Sequence, residues 1–244
     1  MRYAVWIALA VGGTTMLGGA IGFLIRVRSE KTEGRIFAFA GGVMLAASVA
    51  DLILPALEGK SGASLAVCLV SVLLGGALIT LMSGVVPFLE RRLLGGKTGS
   101  RRFRAALLFV LAIAMHNLPE GLACGAALGT GDLAVAASLT LGVAVQNVPE
   151  GMIVIPPLTA AGVRRTRALL ASVLTGVIEI VGVFLGYFTS RLALTLMPYI
   201  LCLTGGAMSY IICTDVLSTP RDPVGRGYAF LLGMCLLFLL LCVF

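Results

Sequence analysis

Eight long apolar stretches, parted by short charged or turn-forming breaks, make up nearly the whole of this sequence. They run Tyr3–Ile25, Ile36–Leu57, Ala63–Leu89, Ala105–Leu128, Leu133–Leu158, Ala168–Ser190, Leu192–Leu217 and Tyr228–Phe244. Each has 17 to 27 residues, and about 20 apolar residues carry a helix across the hydrocarbon core of a bilayer. Membrane β-strands are shorter and alternate polar with apolar side chains, which these stretches do not. The fold class that follows is an all-α membrane protein with eight transmembrane helices. A length of 244 residues would fit one or two soluble domains. The chain is 59% hydrophobic and 12% charged, however, and soluble domains carry about 25% charge. The first stretch is too long for the core of a signal peptide, and Arg26 and Arg28 follow it as a stop-transfer flank.

The basic residues give an orientation. Alternate loops hold Arg26, Arg28, Lys31 and Arg35; six between Arg91 and Arg104; Arg164, Arg165 and Arg167; and Arg221 and Arg226. Only Arg2, Lys60 and Arg191 fall on the other side. Loops rich in Lys and Arg stay cytoplasmic, so both termini are expected on the non-cytoplasmic side. The basic loop Glu90–Arg104, the longest connection, is expected in the cytoplasm, against anionic lipid. The net charge of +7 is thus a topology signal, and no nucleic-acid partner is expected. The six cysteines lie in apolar stretches without a CxxC pair and read as packing residues.

Within the spans the charges are all of one sign. Asp51, Glu120, Glu150, Glu179 and Asp215 lie inside apolar stretches, as does His116, the single histidine. No Lys or Arg lies well inside a span. An ionised carboxylate in a membrane costs several kcal/mol or more unless compensated. These acids must be protonated, line water, or bind cations.

Two of them sit in a repeated motif. The fourth stretch contains His116-Asn117-Leu118-Pro119-Glu120-Gly121, and the fifth Gln146-Asn147-Val148-Pro149-Glu150-Gly151. Residues four apart share a helix face, so His116 lies over Glu120 and Gln146 over Glu150. Adjacent spans run antiparallel, and the two pairs can converge near mid-membrane. Imidazole nitrogen with carboxylate and amide oxygen suits Zn²⁺, Fe²⁺, Mn²⁺ or Cd²⁺. Asn117 and Asn147, one step round the helix, could serve a second metal. Pro119 and Pro149 each remove a helical hydrogen bond, freeing the carbonyls of Met115 and Val145 and kinking the helix. Backbone opened in this way is tolerated at membrane depth where it lines a cavity or is buried. Cys124, four residues beyond Glu120, reads as packing.

A second echo flanks the central pair. Gly41-Gly42-Val43-Met44 is followed by Asp51, and Gly205-Gly206-Ala207-Met208 by Asp215, an offset of 164 throughout. The second stretch is expected to run outward and the seventh inward. Such an arrangement is an inverted-topology repeat: helices 1–3 (about 3–89) mirror helices 6–8 (about 168–244), with helices 4 and 5 (about 105–158) between them in a single domain, 1–244. Asp51 and Asp215 are then candidate entry and exit stations for a cation. Small-residue faces such as Gly75-Gly76 allow a homodimer or packing within the chain.

These motifs resemble the ZIP family of divalent metal transporters, and within it the GufA-like bacterial branch. That family carries H-N-x-P-E-G on its fourth helix and H-x-x-P-E-G on its fifth, and Gln146 in place of the second histidine looks like the GufA-like branch. The resemblance extends over the whole chain. It implies a 3+2+3 helix arrangement in a bacterial inner membrane, metal movement toward the cytoplasm, and a binuclear centre. The first site would be His116, Glu120, Gln146 and Glu150; the second would use Asn117, Glu120, Asn147, Glu150 and Glu179. Metal is the cargo, zinc first, with cadmium, iron or manganese also admissible, and no catalytic cofactor is expected. Two departures stand out. The long loop lacks histidines, and Asn147 is neutral where some relatives carry an acid. A proton-coupled metal exchanger or exporter would use intramembrane carboxylates equally well. An intramembrane metalloprotease would need H-E-x-x-H or an equivalent, which one histidine cannot supply, so no enzyme is expected.

Overall fold

The computed structural model describes residues 1–25, 29–58, 62–84, 88, 101–216 and 222–243. Eight principal helices follow one another among them: α1 (Arg2–Leu24), α2 (Glu30–Ala47), α3 (Gly62–Met82), α4 (Arg101–Gly129), α5 (Leu133–Ala160), α6 (Arg165–Phe188), α7 (Ser190–Ile211) and α8 (Pro223–Val243). Seven spans among the described residues are long and apolar enough to cross a membrane, and the eighth helix offers a shorter apolar run, Pro223–Leu239. The basic loop lies outside the described residues up to Ser100, as do Arg26, Arg28, Lys60 and Arg221.

Several helices begin before the apolar stretch that announces them. Helix α4 starts at Arg101 rather than Ala105, and α8 at Pro223 rather than Tyr228. At α4 the lead-in is arginine-rich, and arginine is a good helix former; at α8 it opens on Pro223, suited to a first helical position, and in both hydropathy marks the span and misses the turn that leads into it. Between α4 and α5, and again between α5 and α6, the chain turns on Gly131 and Gly162, whose φ of 89° and 88° places them in the left-handed region. Asp132 then caps α5, its Oδ1 accepting from the Val135 N–H at 3.0 Å.

Glycine decides which helices lie closest. With lipid on the outside there is no solvent-driven force between helices, and small residues let backbones approach. A Cβ on Gly151 of α5 would run into the Thr15 carbonyl of α1; on Gly121 or Gly125 of α4, into the Glu179 or Val183 carbonyl of α6; and on Gly12 of α1, into the Gly176 carbonyl of α6. These seams join α1, α4, α5 and α6. A second set ties Gly42 of α2 to Phe230 of α8, and Gly75 and Gly206 to the facing backbones of α7 and α3. Gly76 meets the Tyr210 ring of α7, so the Gly75-Gly76 face is covered within the chain.

Neither α2 nor α7 ends as an ordinary α-helix. Ser48–Ile53 and Ile212–Val216 are π-helical, and a further turn, Leu54–Leu57, continues α2. Wide turns of this kind often mark functional positions. Asp51 is the fourth residue of the first and Asp215 the fourth of the second; their side chains lie outside those described. Gly41 packs against Val216 in the α7 turn, and Gly205 against Ser48 and Ile53 in the α2 turn.

Candidate metal centre

His116 and Glu120 stand one turn apart on α4, and Glu150 faces them from α5. The His116 Nε2 lies 3.1 Å from Glu120 Oε1 and 3.2 Å from Glu150 Oε1. Neither approach has hydrogen-bond geometry, and both imidazole nitrogens are without a hydrogen-bond partner. One ligand atom from each residue falls within 4.8 Å of the other two, and all three residues are buried. An ion lying in the plane of atoms 3.1, 3.2 and at most 4.8 Å apart, and equidistant from them, would sit about 2.4 Å or less from each, within a few tenths of the roughly 2.0–2.2 Å of zinc–nitrogen and zinc–oxygen bonds. Gln146, also on α5, donates its Nε2 to Glu120 Oε1 at 2.9 Å. Turning that amide would present its carbonyl oxygen instead, as a fourth ligand.

Glu179 on α6 belongs to an adjoining lobe. Its Oε1 accepts from Asn147 Nδ2 at 2.5 Å and its Oε2 from the Thr15 hydroxyl at 2.7 Å. Asn147 Nδ2 also donates to the Val11 carbonyl at 3.1 Å. On the same two motifs, buried polar atoms are left over. Asn117 Oδ1, Asn147 Oδ1, Glu120 Oε2 and Glu150 Oε2 have no hydrogen-bond partner, nor has Asn117 Nδ2. A buried polar atom without a partner costs about 1–3 kcal/mol. On His116, Glu120 and Glu150 such atoms adjoin the three-residue cluster that could hold a metal ion.

Helices α4 and α5 run unbroken through Pro119 and Pro149. The prolines therefore open individual hydrogen bonds without ending either helix. Cys124, expected as packing, sits in an apolar cluster with Ala8, Val11, Ala136 and Val143 and takes no part in the ligand cluster. Thr15 and the Val11 carbonyl were not legible as part of the centre. A hydroxyl on an apolar helix gives no spacing signal, and a backbone carbonyl gives none at all.

Comparison with known proteins bears directly on this arrangement. Residues 95–241, more than half the chain and including both proline-glutamate motifs and Glu179, match the family described as ZIP Zinc transporter.

The chain belongs to the ZIP family.

It is 34% identical over 217 residues to the zinc transporter GufA of Myxococcus xanthus, covering 86% of this chain and 85% of that one. To the zinc transporter ZIPB of Bordetella bronchiseptica it is 35% identical, covering 88% and 72%. A third relative, the zinc transporter ZupT of Stenotrophomonas maltophilia, is 33% identical over 92% of this chain and 88% of its own. This ZIP protein is accordingly an integral membrane transporter rather than an enzyme, with a buried histidine-carboxylate cluster on α4 and α5.

Proposed function

We propose that this ZIP protein moves divalent metal ions, zinc first, across a bacterial inner membrane toward the cytoplasm. The observation that carries this reading is the convergence of Glu120 and Glu150 on one histidine in a buried site, with the buried Glu179 tied to its edge through Asn147. Burying an ion costs several kcal/mol, and a divalent cation is what such a site compensates. The first site is His116, Glu120, Gln146 and Glu150. The second uses the leftover oxygens of Asn117, Glu120, Asn147 and Glu150, with Glu179 beside them. The N/O donor set admits cadmium, iron and manganese as well as zinc.

Two further features support a 3+2+3 inverted repeat; the placement of both termini on the non-cytoplasmic side rests on the basic loops alone. The paired π turns begin at Ser48 and Ile212, 164 residues apart, the same offset as the Gly-Gly-x-Met runs. The glycine seams follow the same exchange, α2 with α8 answering α7 with α3, and α1 with α5 answering α6 with α4. On this reading Asp51 and Asp215 are way-stations toward the two faces.

The test is zinc or cadmium flux into proteoliposomes holding an internal indicator, comparing wild type with Glu120→Ala and Glu150→Ala variants verified as folded. Flux that collapses in both supports the reading. Absent flux in wild type under any pH gradient, or equal flux in the variants, overturns it.

A further inference from the structure

Helix α1 carries no acid and no histidine, yet it touches the metal centre at two points. The Val11 carbonyl takes one N–H of the Asn147 amide. The Thr15 hydroxyl, one turn along, donates to Glu179 Oε2. Positions four apart share a face of a helix, so the two contacts form one edge of α1. Both Thr15 and Glu179 are fully buried. The single hydroxyl proton has another acceptor, the Val11 carbonyl, but at 3.5 Å against 2.7 Å to the carboxylate. At those distances the carboxylate holds the proton.

These contacts fix two side chains that are otherwise free to choose. Asn147 has two N–H donors; one goes to Val11 and the other to Glu179. With both spent, its Oδ1 is turned away from α1, buried and without a partner. Glu179 in turn has each of its oxygens held by a neutral donor, one from α5 and one from α1. A hydrogen bond to a ligand's outer side sets its orientation, and losing one commonly costs ten- to a hundred-fold in metal affinity.

We propose that Thr15 is a positioning residue for the second metal site: its hydroxyl holds Glu179 in the pose that presents Glu179 and the Asn147 oxygen to an ion beside the one at His116. Glycine makes the contact reachable. Gly12 lies against the Gly176 carbonyl of α6 and Gly18 against the Val148 carbonyl of α5, so α1 sits close enough for a three-atom side chain to reach the carboxylate. The inference rests on the two-site reading given above.

The experiment is an equilibrium zinc titration of the purified full chain in detergent against a competing chromophoric chelator, with wild type, Thr15→Val and Thr15→Ser. Valine keeps the shape and removes the hydroxyl; serine keeps the hydroxyl. Wild type should bind two ions per chain. In Thr15→Val the weaker constant should fall by about ten- to a hundred-fold while the tighter one stays within about two-fold, and Thr15→Ser should recover most of the loss. Two ions with unchanged constants in Thr15→Val would overturn the role of Thr15 and leave the two-site reading standing. Equal losses in the serine and valine variants, or a loss confined to the tighter constant, would also overturn it. One ion per wild-type chain would remove the two-site reading and this inference together.

Discussion

Replacing Glu150 by glutamine separates a metal ligand from a structural carboxylate, because the two roles predict changes of opposite sign in two measurements. The substitution keeps volume and removes one negative charge from a buried cluster in which Glu150 Oε1 is 3.2 Å from His116 Nε2 and Oε2 has no partner. A divalent ion about 2.4 Å from a carboxylate gains on the order of 14 kcal/mol at an effective dielectric of about 20. Most of that is offset by stripping water from both partners, several kcal/mol per ion. An amide oxygen also retains the dipolar part of the contact. A net loss of about 3–4 kcal/mol remains, which is roughly 150- to 700-fold in affinity. Without metal the effect reverses, since removing one of three crowded carboxylates relieves like-charge repulsion and one buried-charge cost. Glu150→Gln should therefore bind zinc at the first site about two to three orders of magnitude more weakly and melt at a higher temperature than wild type in excess chelator. Chelator-competition titration gives the first quantity and thermal unfolding in detergent the second. Unchanged affinity, or weaker binding accompanied by a lower metal-free melting temperature, would refute the reasoning.

Other expectations follow from the same geometry. Asn147→Asp replaces the amide that donates to Glu179 with a carboxylate that cannot. It should raise second-site zinc affinity in a competition titration while lowering metal-free thermal stability. Gly206→Ala places a methyl against the Val72 backbone of α3, and overpacking of this kind costs about 1–3 kcal/mol or more, read as a lower melting temperature with and without metal. The Arg35 Nε bonds Asp222 Oδ2 at 2.8 Å, and that hydrogen bond, with the guanidinium charge, holds the Asp222 carboxyl below its ordinary value. A depressed carboxylate adds stability above the unfolded value of about 3.9 and loses it as pH falls through the folded value. The melting curves of wild type and Arg35→Ala should thus differ slightly at neutral pH, start to converge as pH falls below about 4 and meet once it passes the depressed folded value; a gap that does not narrow over that range would point to packing by the arginine stem.

Much of this organisation was written in the sequence as hydropathy and as charge without compensation. Segments of about 20 apolar residues are unambiguous in a bilayer, and acids in them with no basic neighbour stand out. The repeated N-x-P-E-G motif placed His116, Glu120 and Glu150 on facing helices, as found. Three things were out of reach. The first turn of α4, Arg101-Arg102-Phe103-Arg104, is helical through arginine's propensity and that of α8 starts on a proline suited to a first helical position, and neither adds a long apolar run. The π turns at Ser48 and Ile212 have no hydropathy period that sets them apart from the helices they end, although Gly41 and Gly205 pack against them. The part played by α1 arises from a lone hydroxyl and a peptide carbonyl, brought to the centre by glycines whose spacing alone names no partner.

The two π turns carry a further implication. Such a turn holds one residue more than the α-helix around it needs, as an insertion into that helix would leave it. Here the surplus occurs twice, with an aspartate at the fourth position each time. If the flanking helices descend from one duplicated ancestor, the insertion was already present when the copy was made. The extra residue has then been inherited by both halves in opposite orientations, and reverting either turn to a regular α-helix would rotate every following side chain by about 100°.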